Sequence, residues 1–342
     1  HRFNLGSGAL KGLKPEPNEG QPRFRFHWNA PLIGSIHEPG VLYLGGNRVF
    51  RFVEKGELWS TISPDLTAKI SDRLEAGGSG AETYGIVYTL SESPVKKGML
   101  WAGTDDGKLW VTENEGKDWT DLTGLLPPSV KGEWISRIEA AHKDPAVAYL
   151  AVDAHRSGNF APLAFRTVDR GKTWTSIAAG LPGDGPVKVV REDPVNPNLL
   201  YAGTEFALFV SIDQGKHWTV LGALPTVAVD DILVHPKERD LVIATHGRSV
   251  YVIDDLTPLQ GLTLEVRQKA ALLFPVRKAL GRSLLPGWEE SSGSTVFRGA
   301  NPPEGALISY WIKEGGPEPV KIAITKAQGQ NVANLTASAV TG

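Results

Sequence analysis

The sequence predicts an all-β protein, a β-propeller of four-stranded blades, and three observations carry that prediction. Trp59, Trp119, Trp174 and Trp218 recur at spacings of 60, 55 and 44 residues. Each closes a unit of four short runs rich in Val, Ile, Leu, Tyr and Trp, separated by clusters of Gly, Pro, Asn and Asp. Five such units fill residues 28–257, about 46 residues apiece, the length of a propeller blade. Radial packing of repeated sheets buries their faces and shields their edges.

The units follow in order. The first reads APLIGSIHEPGVLYLGGNRVFRFVEKGELW, and the second GIVYTLSESP…MLWAGTDDGKLWVTENEGKDW. The third is WISRIEAAHKDPAVAYLAVDAHR…LAFRTVDRGKTW. The fourth is the clearest, with VKVVRED, PVNPN, LLYAGT, EFA, LFVSI, DQGKHW and TVLGAL in succession. The fifth, VDDILVHP, KERD, LVIATH, GR, SVYVIDD, lacks a fourth strand. The longest insertions are 66–83, 121–133 and 156–163.

Composition agrees with this reading. The 342 residues are 41% hydrophobic and 22% charged, enough apolar material for a core, and 38 Gly with 24 Pro supply the turns. Lys plus Arg is 36 against 38 Asp plus Glu, a net charge of −2 that argues against a nucleic-acid footprint or a polybasic membrane patch. No apolar run approaches the roughly 20 residues of a membrane-spanning helix, so no membrane insertion is expected. Without cysteine there are no disulfides, thiolate nucleophiles or thiolate zinc sites. The eight histidines lack ligand spacing, and phosphate-loop, zinc-protease and nucleophile-elbow motifs are absent, so neither metal nor cofactor is expected.

Thr167–Trp174 and Ser211–Trp218 fit the pattern S/T-x-D-x-G-x-x-W. It is the Asp-box signature that sialidase-like and sortilin-like propellers carry. In this pattern Asp169 and Asp213 accept backbone N–H bonds within the turn between strands C and D. Gly171 and Gly215 take positive φ, and Trp174 and Trp218 pack into the adjoining blade. Thr112–Trp119 keeps the spacing with Asn114 for Asp, and Phe52–Trp59 keeps only Glu54, Gly56 and Trp59. These aspartates read as structural, because each copy satisfies its own turn.

Loops A–B and C–D lie on one face of such a ring, and B–C and D–A on the other. With strand B nearest the axis, the second face collects Asn47, Arg48, Asp105, Asp106, Asp153, His155, Arg156, Glu205, His246 and Arg248 around the channel mouth. They are the candidate ligand-binding residues, set against the plain reading that short turns favour Asp and Asn. A glycosidase needs two carboxylates, about 5 Å apart for retention or 6.5–9.5 Å for inversion. Asp105 or Asp106 with Glu205 are the candidate catalytic pair.

After residue 259 the repeat stops. Residues 263–282 contain a helix-compatible stretch, EVRQKAALLF, followed by a loop around Pro286-Gly287-Trp288. Residues 305–335 alternate as three strands of a small β-sandwich with Ala327–Gln330 as a hairpin turn. The expected organisation is 1–27 as the end of a preceding blade or a closing strand, 28–260 as propeller, 261–300 as linker with a short helix, and 301–342 as a partial Ig-like sandwich.

The combination of WNAPLIGSIHEPGVLYLGGNRVF, ISPDLT, GTDDGKLWVTENEGKDW, RTVDRGKTW, LLYAGTEFALFVSIDQGKHW, ATHGRSVYVIDDLTPL and ANPPEGALISYWIK closely resembles large exported bacterial BNR-repeat, or sortilin-like, propeller proteins named as glycosyl hydrolases. The likeness spans nearly the whole chain. It implies an extracytoplasmic location and a longer polypeptide with further blades upstream and an Ig-like domain downstream. Further blades or subunits of the same protein are then candidate partners. Alternatively, residues 2–14 supply the fifth unit's missing strand and close a five-bladed ring. Related xyloglucan-cleaving enzymes place acid and base aspartates between two propellers, whereas sortilin-type relatives bind peptides in the channel. The expected function is therefore an exported binding or scaffold protein holding a glycan or polypeptide on the B–C/D–A face. The alternative is a glycoside hydrolase acting on a polysaccharide.

Overall fold

A computed structural model describes residues 1–70, 74, 83–222, 224–279 and 305–340. The loop expected around Pro286-Gly287-Trp288 and most of the 66–83 insertion lie outside the described residues. The chain divides into two compact units, residues 1–234 with 242–251, and residues 235–241 with 252–342.

The first unit is all-β, in a β-propeller arrangement. A hairpin of β1 (Arg2–Phe3) and β2 (Leu10–Lys11) precedes the blades. Blade 1 holds β3 (Leu32–Gly34), β4 (Leu42–Gly45), β5 (Val49–Val53) and β6 (Leu58–Thr61), and blade 2 holds β7 (Val87–Glu92), β8 (Leu100–Thr104), β9 (Leu109–Thr112) and β10 (Thr120–Asp121). Blade 3 holds β11 (Trp134–Ala140), β12 (Ala148–Asp153), β13 (Leu163–Thr167) and β14 (Thr175–Ser176). Blade 4 holds β15 (Val187–Glu192), β16 (Leu200–Thr204), β17 (Leu208–Ser211) and β18 (Thr219–Val220). Within each blade, strands pair antiparallel in chain order. The fifth sheet has three strands, β19 (Val229–Val234), β20 (Leu241–Thr245) and β21 (Val250–Ile253).

The β1–β2 hairpin does not complete that fifth sheet. Arg2 and Lys11 instead pair with Glu57, and Arg2 Nη1 donates to Lys55 O at 3.1 Å, so the hairpin sits on the β5–β6 turn of blade 1. These contacts of charged side chains are invisible in strand periodicity.

Apolar cores lie between successive blades. Leu66, Val87, Leu100 and Ala102 join blades 1 and 2, Trp101, Leu109, Ile138 and Leu150 join blades 2 and 3, and Tyr149, Ala151, Val190 and Ala202 join blades 3 and 4. Close approach is made possible by glycine on the second strand. A Cβ on Gly103 would stand 2.4 Å from Ile135 Cγ2, and one on Gly203 would stand 2.5 Å from Val229 O.

The strand nearest the axis is the first of each blade, not the second as the sequence reading had it. Ile138 N donates to Thr89 Oγ1 at 3.2 Å and Ala140 N to Ser91 Oγ at 2.9 Å, tying β11 to β7. Ser136 Oγ donates to Val187 O and Arg191 Nε to Ile232 O, continuing the series from β11 to β15 to β19. Both strands read as apolar runs in sequence, and only these lateral bonds reveal which one is inside.

The turns that end in tryptophan follow local hydrogen bonding. Asp169 Oδ1 accepts from Thr173 N at 2.9 Å, and Asp213 Oδ1 from Lys216 N and His217 N at 3.1 and 3.0 Å. Gly171 and Gly215 adopt φ of 80° and 85°. Trp218 Nε1 donates to Ile177 O of the preceding blade, and Trp174 meets Trp101 of the blade before it edge to face.

The second unit departs from the expected helix and sandwich. A short helix α1 (Thr257–Gly261) precedes the stretch read as helical. That stretch forms a 3-10 turn at Val266–Gln268 and then β22 (Ala271–Leu273), which pairs with β23 (Tyr310–Ile312). β24 (Val320–Thr325) and β25 (Asn331–Ala337) form a separate hairpin, closed where expected by Lys326 N donating to Gln330 O at 2.8 Å. The three alternating runs therefore divide between two two-stranded sheets, because β23 takes β22 as its partner. Among the described residues no helix is long and apolar enough to cross a membrane.

Candidate functional site

A cavity of about 590 Å³ draws residues from all five repeat units. Its position follows from a repeated backbone irregularity. The β7–β8, β11–β12 and β15–β16 ladders each shift register near the start of the first strand, between Val87 and Thr89, Ile135 and Arg137, and Val187 and Val189. Bulges re-aim a side chain where a ladder is interrupted. The skipped residues, Tyr88, Ser136 and Lys188, all line the cavity, as does Asp230, their counterpart on β19. A second set lies at the ends of the second strands: Asp153 closing β12 with His155 and Arg156 after it, Glu205 and Phe206 after β16, and His246 after β20.

Lys188 organises the polar wall. Its Nζ lies 2.7 Å from Asp153 Oδ2 and 3.0 Å from Glu205 Oε2. Asp153 Oδ1 meets His155 Nδ1 at 2.5 Å, and Asp230 Oδ2 meets His246 Nδ1 at 3.1 Å. Burial works to raise the Asp153 carboxyl, but Lys188 and His155 hold it below the ordinary carboxylate range. Burial likewise works against the Lys188 charge, and Asp153 and Glu205 outweigh it, leaving its pKa raised. The aromatic wall comprises Tyr88, Trp134, Phe160 and Phe206. Tyr88 and Trp134 meet edge to face at 4.8 Å, and the Arg156 guanidinium lies 3.8 Å from the Trp134 ring centre.

The candidates from sequence divide accordingly. Asp153, His155, Arg156, Glu205 and His246 come together here. Asp105 occupies the equivalent place on blade 2 but is buried, accepting from Ile86 N at 2.8 Å and Gly85 N at 3.1 Å. Asp106 is also buried and accepts from Thr104 Oγ1 and Ala68 N. Neither lines the cavity with Glu205. Burial pushes the Asp105 carboxyl up to about 7 despite those amides, and it raises Asp106 as well. Asn47 and Arg48 line a separate cavity over blade 1, and Arg248 is exposed in the β20–β21 turn. Sequence reasoning passed over Tyr88, Trp134 and Lys188. For Tyr88 and Lys188 the signal was the column just inside the first strand, where Tyr88, Ser136, Lys188 and Asp230 interrupt an apolar pattern.

The arrangement accepts hydrogen bonds through paired carboxylates and offers aromatic surface beside them. The Asp153 and Glu205 oxygens share one ammonium and so stand within about 6 Å of each other, near the separation of a retaining glycosidase pair. Among the described residues no group of three or more His, Asp or Glu is placed to hold a metal ion.

No family model matches the chain. A curated protein of Neosartorya fischeri described as a probable oligoxyloglucan-reducing end-specific xyloglucanase is 31% identical over 158 residues, covering 43% of this chain and 19% of that protein. Among solved structures, a GH74 enzyme of Niastella koreensis superposes with a TM-score of 0.51 at 16% identity, covering 68% of this chain and 36% of its own. An ancestral GH74 enzyme gives 0.50 at 14% identity, covering 67% and 30%. The chain thus spans about a fifth of that curated relative and about a third of those structures, and at these identities the structural likeness is one of β-propeller fold.

Proposed function

We propose that the chain is a glycan-binding propeller that holds an oligosaccharide or polysaccharide segment at the cavity where the five units meet. The observation that carries this reading is the shared wall of Tyr88, Trp134, Phe160 and Phe206 with Asp153 and Glu205. Aromatic faces cover the apolar C–H face of a sugar ring, while carboxylates accept from its hydroxyls. The partial likeness to a xyloglucanase supports a β-linked plant-type glycan as first probe. An extracytoplasmic location, where such polymers are met, goes with this reading.

A second reading, glycoside hydrolysis, draws on the spacing of Asp153 and Glu205. Retaining hydrolysis requires one carboxyl to be protonated before attack. Asp153, salt-bridged to Lys188, is held below the ordinary carboxylate range and so is a poor proton donor, which favours binding over cleavage at this site.

Calorimetric titration with xyloglucan and cello-oligosaccharides, alongside a reducing-end release assay, separates the two. Binding without release, lost in Trp134→Ala, is the expected result. Release of new reducing ends that Asp153→Asn and Glu205→Gln abolish would replace binding with hydrolysis.

A further inference from the structure

A second cavity, of about 460 Å³, opens over blade 1 and carries the opposite charge. Arg23, Arg25, Arg48 and Lys69 line it against one carboxylate, Asp65. That carboxylate is already engaged: it accepts from Asn47 Nδ2 at 2.8 Å, Thr67 Oγ1 at 2.7 Å and Arg25 Nη2 at 3.2 Å. Arg25 is engaged in turn, donating to Gly85 O at 3.1 Å and Thr67 Oγ1 at 2.9 Å. Arg48 donates through Nη1 to Ser63 O at 3.1 Å and has no carboxylate partner among the described residues. Arg23 and Lys69 have no hydrogen-bond or ion-pair partner there at all. Lys69 also holds a left-handed backbone, φ 56°, a conformation that a lysine adopts at a cost and that recurs at functional sites.

We propose that this cavity binds the anionic group of an acidic glycan, a uronate carboxylate or a sulfate ester. Three unpaired or under-used cations around one concave space repel each other unless an anion enters. The guanidinium fork matches planar and tetrahedral oxyanions. The volume exceeds that needed by a bare ion, and Phe24 and Gln21 add a ring and an amide to the wall for the sugar that carries the charge. Asn47 and Arg48 lie just past the end of β4, as Asp153 ends β12 and Glu205 follows β16, so both cavities open on the same face of the blades. The inference rests on the glycan reading of that face and adds the substrate class: a chain bearing negative charge.

The test is calorimetry on the full chain with trigalacturonate, a neutral oligosaccharide of equal length, and inorganic phosphate. Wild type is expected to prefer trigalacturonate over the neutral sugar by tenfold or more and to lose that preference in high salt. The double variant Arg23→Gln/Lys69→Gln is expected to lose the same tenfold with its melting temperature unchanged, since both side chains are exposed and unpartnered. Equal trigalacturonate affinity in that variant overturns the proposal, as does phosphate binding as tightly as trigalacturonate, which would make this a small-oxyanion site. Trp134→Ala separates the two readings. Loss of neutral-sugar binding there, with no effect of the charge variants, keeps the glycan site and removes this one. Loss of acidic-sugar binding only in the charge variants does the reverse.

Discussion

Lys188 stands between two carboxylates, and its closer partner is Asp153, 2.7 Å away on the neighbouring blade. The contact joins a bulge residue of β15 to the end of β12, so one ion pair both shapes the cavity wall and ties blade 4 to blade 3. Lys188→Met is expected to destabilise the protein by about 1–3 kcal/mol at pH 7, because Asp153 and Glu205 lose the ammonium they share and only Arg156, 4.0 Å from Asp153, remains as a nearby cation. Asp153 has a lowered pKa, so its contribution is present above the ordinary carboxylate pKa and lost as pH falls through the lowered one. Lys188 has a raised pKa, so its share persists to alkaline pH and is lost as pH rises through that raised value. Urea denaturation at pH 7 and pH 2 measures the first of these: the deficit of the variant at pH 7 should shrink at pH 2. An equal deficit at both values refutes the assignment.

Arg156 covers one face of Trp134, at 3.8 Å from the ring centre, and its side chain is half exposed. A sugar stacking on that face has to displace the guanidinium. Arg156→Ala should therefore raise affinity for a neutral oligosaccharide several-fold, while Trp134→Ala lowers it by tenfold or more. Calorimetry on the two variants gives opposite signs if stacking on Trp134 carries binding. A loss of affinity in both would mean that Arg156 contacts the ligand itself.

Gly203 sets the approach of blade 5 to blade 4. A Cβ there would lie 2.5 Å from Val229 O and 2.7 Å from Val189 Cγ1, and a backbone oxygen does not rotate away. Gly203→Ala is expected to cost about 2–3 kcal/mol through overpacking. Ala151, which fills the corresponding place on β12, is tolerated and fully buried. Ala151→Gly should cost no more than about 1 kcal/mol, from strand entropy. Thermal unfolding of the pair checks the contrast, and similar losses would remove the steric explanation.

The fold was legible because its signal is redundant: four tryptophan-ended turns and five copies of one strand pattern all point to the same ring. The site was only half legible. Aligning the units placed Asp105, Asp153 and Glu205 in one column, and the structure keeps that column. Only Asp153 and Glu205 reach the cavity, because Gly85 and Ile86 offer Asp105 two amides and hold it inside blade 2. Those amides come from the segment after the longest insertion, where pattern gives no geometry. Lys188 and Tyr88 break the apolar run of their strands, but the register shift that turns them into the cavity is a backbone event that residue pattern does not locate.

Asp213 accepts from Ser211 Oγ, Lys216 N, His217 N and, through Oδ2, His217 Nδ1. Asp213→Ala should cost about 1–2 kcal/mol. Blade 2 shows that an amide oxygen serves in the same turn, since Asn114 Oδ1 accepts from Asp118 N at 3.0 Å. Asp213→Asn is therefore expected to retain most of the stability at neutral pH. Burial raises the Asp213 carboxyl while His217 and Ser211 lower it further, and the balance is a lowered pKa. Its contribution fades as pH falls through that value, so wild type and Asp213→Asn should converge in acid. A stability scan from pH 7 to pH 2 that keeps them apart contradicts this account.

Asp105 predicts the opposite slope. Burial pushes its carboxyl up to about 7, well above the ordinary value, so ionising it costs stability. The fold should lose stability as pH rises from about 4 through about 7, the reverse of the Asp213 trend. Asp105→Asn keeps an oxygen to accept from Ile86 N, carries no charge, and should flatten that slope. Asp106, raised by burial too, leaves a residual slope that Asp106→Asn in the same background should remove. Chemical denaturation at pH 4.5, 6 and 7.5 reads the effect directly. Parallel curves for wild type and Asp105→Asn would show that the buried carboxyl stays ionised throughout. The two amides would then outweigh its desolvation, and the acid-leaning stability would need another source.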